Sequence, residues 1–343
     1  MSVRVEQFQG DPREWDAFVA GESGASGYHG YAWRGVLEQS FGHPSYYLAA
    51  REQGALSGVL PLVHMKSMLF GNFLVSLPFV TYGGLLSRSE ASGHALLHAA
   101  EELRTKLGAR HVELRHTGDC ELELPAKRHK VAMVLPLAGD EDLMWGSVGV
   151  KVRNQVRKAQ RSGLETIWGG AELLDDFYAV FVRNMRDLGT PVYARSFFAT
   201  VLAGLPEQTR IVVIRTNGQP AAAGLLFWHG ETLEIPWASS IRDYNPLCPN
   251  NLMYWEAIRH GVSLGLRRFD LGRSTPGAGT FKFKEQWGAR PEPLAWHYLL
   301  PAGEKLPDLT NQNPKYSLAI EAWRRMPLPV TRFIGPPIVR RIP

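Results

Sequence analysis

KLGARHVELR (residues 106–115) and SLGLRRFDLG (residues 263–272) share one plan: a helix end, a glycine, a short turn and a strand. Gly108 aligns with Gly265, Val112 with Phe269, Glu113 with Asp270 and Leu114 with Leu271, at an offset of 157 (265 − 108). Upstream, YLAAREQGALSGVLPLV (47–63) resembles IVVIRTNGQPAAAGLLFW (211–228). Each is an apolar strand, a charged turn closed by glycine (Gly54, Gly218), then a second apolar strand containing glycine (Gly58, Gly224). That is a hairpin signature. The offset is 164 (218 − 54), and both pairs keep their order, so the chain reads as two copies of one unit.

Each unit runs helix, hairpin, further strand, helix, glycine, strand. The hairpin requires antiparallel pairing, and a helix between two later strands requires a right-handed crossover. The fold class is therefore α/β (α+β), with mixed sheets flanked by helices. The opening helices are EWDAFV (14–19) and YAWRGVLEQSF (31–41) in copy one. In copy two they are LLDDFYAVFVRNMRDLG (173–189) and RSFFATVLAGL (195–205). The boundaries read from the sequence are 1–145 for the first domain, 146–300 for the second, and 301–343 for a basic, proline-rich C-terminal tail.

KVRNQVRKAQRSG (151–163) carries Lys151, Arg153, Arg157, Lys158 and Arg161. At 100° per residue, Arg153, Arg157 and Arg161 form one stripe, while Val148, Val152, Val156 and Ala159 take the opposite side. Residues 148–163 thus read as an amphipathic basic helix. Its cations are either a solvated face or a surface for phosphates and anionic headgroups.

With 343 residues, 45% apolar and 21% charged, the chain has the composition of an ordinary globular protein with ample core. Its net charge is +5, and residues 322–343 hold five arginines and no acid. That bias is too weak for a dedicated DNA binder, and no DNA-reading module is present. Cys120 and Cys248 lie far apart, without metal-ligand spacing, and suit free thiols in a reducing cytosol. The N-terminus has no apolar signal core, so a cytoplasmic location is expected. Residues 67–87 are uncharged, but Gly71, Asn72, Ser76, Pro78 and Gly83–Gly84 fit two buried strands joined by turns better than a membrane span.

The densest chemical stretch is RRFDLGRSTPGAGTFKFKEQWGARPEP (267–293). Asp270 ends a strand, and GRSTPGAG follows as a loop at a strand end, where open sheets place ligands. Phe281 and Phe283 alternate with Lys282 and Lys284. Arg273, Ser274 and Lys284 are candidates to stabilise a negative oxygen or hold a phosphate. Lys284 equally fits a surface lysine on an edge strand. Asp270 is a candidate general base or a capping and ion-pairing aspartate. In NPLCPNNLMYWEAIRHG (245–261), Asn250 or Asn251 can cap a helix or meet an anion. The aromatics of 28–33, 41–47 and 77–84, with His29 and His43, suit either core packing or a sugar or peptide surface. No Walker A loop, GxSxG elbow, HExxH or Rossmann fingerprint occurs.

Two tandem acetyltransferase-like units, the RNQVRKAQRSG helix, the strand FDLG and the closing FKFKEQWG together resemble the Fem family, non-ribosomal peptidyltransferases that build peptidoglycan cross-bridges. LPLVHMKSMLFGNFLVSLPF, CPNNLMYWEAI, FDLGRS and FKEQWG resemble a branch of FemAB-like proteins tied to exopolysaccharide and PEP-CTERM/exosortase loci. The resemblance spans essentially all 343 residues. It implies tandem GNAT-like acyltransferase domains that transfer an acyl or aminoacyl group onto an amine of a phosphate-bearing cell-envelope precursor, peptidoglycan or exopolysaccharide, with no tightly bound cofactor and no metal. It carries the family's FK lysine onto Lys284, after Phe283, and the basic helix onto Arg153, Arg157 and Lys158. Asn251, Arg273 and Ser274 complete the expected binding residues.

The donor implied by the family is aminoacyl-tRNA. The helical-hairpin insert proposed to touch tRNA in some Fem enzymes is not evident, and neither is the usual Arg/Gln-x-x-Gly-x-Gly/Ala turn for acyl-CoA, so both donors stay open. A different class, a non-catalytic adaptor at the inner membrane face, is suggested by AIEAWRRMPLPVTRFIGPPIVRRIP (319–343), which mixes Trp323, Met326, Phe333 and Ile334 with five arginines.

Overall fold

The computed structural model describes residues 3–68, 70–118, 120, 122–307 and 314–342. The strands are β1 (Arg4–Gln7), β2 (Ser45–Glu52), β3 (Ala55–Ser67), β4 (Gly71–Val75), β5 (Leu86–Ser87), β6 (Val112–Thr117), β7 (Ala126–Lys127), β8 (Val131–Pro136), β9 (Glu165–Gly169), β10 (Thr209–Thr216), β11 (Gln219–His229), β12 (Thr232–Ser240), β13 (Arg268–Ser274) and β14 (Arg290–Leu299). The helices are α1 (Pro12–Ala20), α2 (Ala32–Phe41), α3 (Glu90–Lys106), α4 (Glu141–Ser147), α5 (Val150–Arg161), α6 (Leu174–Leu188), α7 (Arg195–Gly204), α8 (Pro249–Ser263), α9 (Gly279–Glu285), α10 (Pro314–Arg325) and α11 (Leu328–Val339).

The duplication is visible down to single turns. β2–β3 closes through Gln53 (φ 52°) and Gly54 (φ 85°), and β10–β11 through Asn217 (φ 49°) and Gly218 (φ 74°). Two central residues at positive φ make a type I′ turn, whose twist matches the flanking strands. Each hairpin then shifts register at the matching place, between Ala50 and Arg51 and between Ile214 and Arg215. A Cβ at Gly58 would lie 2.9 Å from Leu96 of α3, and one at Gly224 would lie 3.4 Å from Met253 of α8 and 2.7 Å from Ile235. Both glycines therefore let the crossover helix settle closely on its sheet.

The chain forms two compact units. Unit 1 contains residues 1–131, 292–308 and 340–343, with strand order β1-β2-β3-β4-β6-β14. Unit 2 contains residues 132–291 and 309–339, with strand order β8-β13-β12-β11-β10-β9. These divisions fall at different places from 145 and 300. β14 pairs antiparallel with β6, from Leu294 opposite Thr117 to Leu299 opposite Val112, so a strand from the second half of the sequence completes the first sheet. β8, from the first half, flanks β13 in the second sheet. An end strand needs only a neighbour with free ladder groups, and sequence order does not say which copy supplies it.

Within 301–343, residues 314–339 hold two helices, α10 and α11, both packed against α6. In 67–87, Leu69 lies outside the described residues; the remainder gives β4, an irregular segment and the two-residue β5. The aromatics of copy one are core. Tyr28, Trp33 and Tyr47 are buried, and Phe41 stacks on Phe79 with centroids 3.8 Å apart.

In each sheet a parallel pair is joined through the crossover helix, and in each it pairs only briefly. β4 meets β6 at Leu74–Val112 and Val75–Glu113, and β12 meets β13 at Thr232–Arg268, Leu233–Phe269 and Glu234–Asp270. Beyond those pairs β12 runs on to Ser240 and β13 to Ser274 without pairing to each other, leaving the two strands splayed.

Candidate functional site

Unit 1 fills the neighbourhood of its parallel pair. Leu77, Phe79, Val80 and Tyr82, which follow β4, are buried, and Ser76 Oγ accepts from the Arg115 amide at 2.8 Å. Arg115 donates to Glu113 at 2.8 Å and to the Val80 carbonyl at 2.8 Å, and its guanidinium lies 4.2 Å from the Trp296 ring centroid. Tyr298 donates its hydroxyl proton to Glu113 at 2.8 Å. Glu113, the counterpart of Asp270, is thus locked in a buried ion pair whose donors and acceptors are matched. Such a network holds a fold together and has no free valence for chemistry.

Unit 2 differs. Asp270 is buried at the end of the β12–β13 pairing, and its Oδ1 accepts from the Gly272 amide at 2.7 Å. The loop after β13 leads into α9, so the alternation of Phe281–Lys284 belongs to a short helix, and the edge-strand reading is corrected. Position 284 thereby turns inward and is 8% exposed. Its Nζ donates to the carbonyls of Gly272 at 2.8 Å and Arg273 at 3.1 Å. A protonated amine has three N–H donors, so one remains after these two bonds. Burial lowers the Lys284 pKa to about 8; nearby Asp270 opposes the drop and Arg273 adds to it. Lys284 is therefore still charged at neutral pH, but only weakly held in that state.

The other expected residues divide. Arg273 is exposed and contributes its carbonyl to Lys284. Ser274 is buried with an unpartnered Oγ. Phe283 packs edge-on to Tyr254, with centroids 5.2 Å apart, and Trp287 completes that apolar wall. Burial pushes the Tyr254 hydroxyl pKa upward. Asn251 does not cap α8. The cap is Cys248, in the left-handed region at φ 59°, with Pro249 in the first turn, and no side chain caps the end. Asn251 instead donates to Gln155 of α5 at 3.2 Å.

α5 buries Val152, Val156 and Ala159, as its periodicity demands. Its first turn abuts α9, since a Cβ at Gly149 would lie 3.5 Å from the Gln286 carbonyl. Arg153 is partly committed to α4, donating to the carbonyls of Trp145 at 3.3 Å and Gly146 at 3.4 Å. Arg157 lies 5.4 Å over the Trp145 ring, and Trp145 packs on Trp255 of α8. Lys151, Arg157, Lys158 and Arg161 are exposed on this one helix. α5, the first turns of α8 and α9 therefore form one assembly within unit 2, linked by Gln155–Asn251, Gly149–Gln286 and Tyr254–Phe283. Sequence reasoning did not single out Tyr254, Gln155 and Trp287; Tyr254, three residues after Asn251, was open to a helical-spacing argument.

A separate cleft of about 380 Å³ is lined by Glu141, Trp168, Arg210, Glu256, Arg259 and His260 and contains none of these residues. Its carboxylates are already met by Arg259, at 2.7 Å from Glu141 and 3.2 Å from Glu256. Among the described residues no cluster of histidine, cysteine and acidic groups could hold a metal.

Residues 150–285 match the family model described as the acetyltransferase (GNAT) domain. Unit 2 has a GNAT-like fold. Splayed parallel strands at its centre, with α9 beyond them, are the feature around which the candidate residues gather. No curated protein sequence matches the chain. Among solved structures, FemX is similar over 87% of this chain and 98% of its own, at 14% identity and a TM-score of 0.64. L-PGS from Bacillus licheniformis is similar over 97% of each chain, at 14% identity and a TM-score of 0.54. A tandem GNAT protein from the clavulanic acid biosynthesis pathway is similar over 89% of this chain and all of its own, at 12% identity and a TM-score of 0.56. At such identities the likeness establishes the fold alone: tandem GNAT-like units of mixed sheet and flanking helices.

Proposed function

We propose that the protein is an N-acyltransferase whose reaction centre lies in unit 2, between the splayed ends of β12 and β13 and the buried face of α9. The observation that carries this reading is Lys284, a buried ammonium held by two carbonyls with one N–H left over. In the proposed step a neutral amine attacks the carbonyl carbon of an activated acyl donor. A C–N bond forms, the oxyanion accepts the remaining Lys284 N–H, and the C–S or C–O bond to the carrier breaks as the oxyanion collapses. The amine proton passes to Asp270, whose Oδ1 is oriented by the Gly272 amide. Arg157 and Lys158, with Lys151 and Arg161, meet the phosphates of the acceptor or donor, and Arg153 stiffens the base of that face.

The GNAT match favours acyl-CoA as donor. The acceptor in this reading is an amine on a phosphate-bearing cell-envelope precursor of peptidoglycan or exopolysaccharide, the latter being the finer reading suggested by LPLVHMKSMLFGNFLVSLPF and CPNNLMYWEAI. A second donor, aminoacyl-tRNA, draws support from one local feature: Pro249 lacks an N–H and Cys248 occupies the cap, so the start of α8 offers few amides to a pyrophosphate. Binding of labelled acyl-CoA and of charged and uncharged tRNA separates the two donors. With a turned-over pair in hand, Lys284→Ala should lower kcat by at least ~100-fold. A Lys284→Ala chain that keeps full turnover would overturn the assignment.

A further inference from the structure

α11 is built inside out for a helix lying on a water-soluble body. Such helices bury their large apolar side chains and present polar ones. Here the inward stripe is Thr331, Gly335 and Val339, spaced i, i+4, i+8. The close contact needs the glycine, because a Cβ at Gly335 would lie 2.9 Å from the Val192 amide nitrogen. The outward stripe is Pro329, Val330, Phe333 and Pro337, all exposed, with Phe333 82% exposed. On α10, Leu318 is likewise 81% exposed.

The charge on α10 and α11 is predominantly positive, with the Asp175 carboxylate of α6 near Arg332. Between Leu318 and Val339 the sole acid is Glu321, which pairs with Arg324 and Arg325 at 3.8 and 2.9 Å. Arg332, next to Phe333, rests 5.3 Å over the Tyr178 ring and remains exposed. A protein partner would cover the apolar stripe equally well, but a row of apolar side chains flanked by arginines with one acid among them complements an anionic surface with an apolar layer beneath it.

We infer that α10 and α11 form a docking surface for an anionic lipid bilayer, with Phe333 and Val330 entering the headgroup–acyl boundary and Arg324, Arg325 and Arg332 meeting lipid phosphates. No described helix is long and apolar enough to cross a membrane, so the contact is peripheral. It stands independently of the acyl-transfer reading.

The test is co-sedimentation of the full chain with sucrose-loaded vesicles of phosphatidylcholine alone and of phosphatidylcholine containing phosphatidylglycerol, at low and high salt. Binding is expected only to the anionic vesicles, weakening with salt. Phe333→Ser should reduce partitioning about tenfold, and Arg332→Gln about fivefold. Both positions are exposed, so unchanged thermal melting checks that the variants fold. Lys284→Ala should bind like the wild type. Absence of anionic binding, or binding that Phe333→Ser and Arg332→Gln leave intact, overturns the proposal. So does a dimer in analytical ultracentrifugation that Phe333→Ser dissolves, which would make a second copy the occupant.

Discussion

Lys284→Met should make the protein inactive and, at neutral pH, slightly more stable. Methionine matches the length of the lysine stem and removes the charge. Lowering the pKa from 10.5 to about 8 corresponds to a cost of about 3 kcal/mol for holding the proton in the folded state at pH 7. Because the folded value lies below the unfolded one, the unfolded chain binds the proton more tightly. The cost is therefore full below pH 8 and fades as pH rises towards about 10.5. Against it, methionine leaves the Gly272 and Arg273 carbonyls without their donor, at about 1 kcal/mol each. The net gain near pH 7 is then about 1 kcal/mol, and the variant should lose its advantage on going to pH 10. Urea denaturation of both proteins at several pH values measures the difference. A gap between variant and wild type that does not change with pH would refute the buried-ammonium argument, whatever the sign at pH 7.

Further outcomes follow from the same geometry. If the reaction needs the Lys284 proton, kcat should fall on the alkaline side with an apparent pKa of about 8; a profile rising without a break to pH 10 would assign the lysine another role. Arg157→Glu with Lys158→Glu should raise KM for a phosphate-bearing substrate about tenfold or more and flatten its salt dependence, while leaving melting unchanged, as both side chains are exposed. Glu113→Gln strips the carboxylate from a pair whose side chains are 3–4% exposed and should destabilise the chain by about 3–5 kcal/mol, read by denaturant midpoint. Burial takes the His116 pKa to about 3. The folded state then binds fewer protons than the unfolded one between that value and 6.5, so acidification across that window should destabilise the chain by about 2 kcal/mol at pH 5, and His116→Gln should flatten the dependence.

What the sequence determined alone was local or repeated. Glycines at matched positions, Gly54 with Gly218 and Gly108 with Gly265, identified the duplication, because turn geometry at those places needs positive φ wherever the copy sits. The basic helix was legible because Val152, Val156 and Ala159 keep the helical period. Asp270 and Lys284 were nameable as residue types at a strand end and in the segment that follows. Tertiary structure alone decided the rest. Alternation in FKFK looks like a strand over four residues, and only the turn after β13, which sets the direction of α9, makes it a helix with Lys284 inside. Strand β14 carries no mark of the partner it will choose, and it joins β6 because ladder groups are free there. The contrast between the two copies is also tertiary. Glu113 and Asp270 align in sequence, but Arg115 closes one into a buried pair, while a glycine at the matching place leaves the other beside a lysine. Burial, and which polar groups are left with a free donor inside it, depends on segments far apart in the chain, and no local pattern records it.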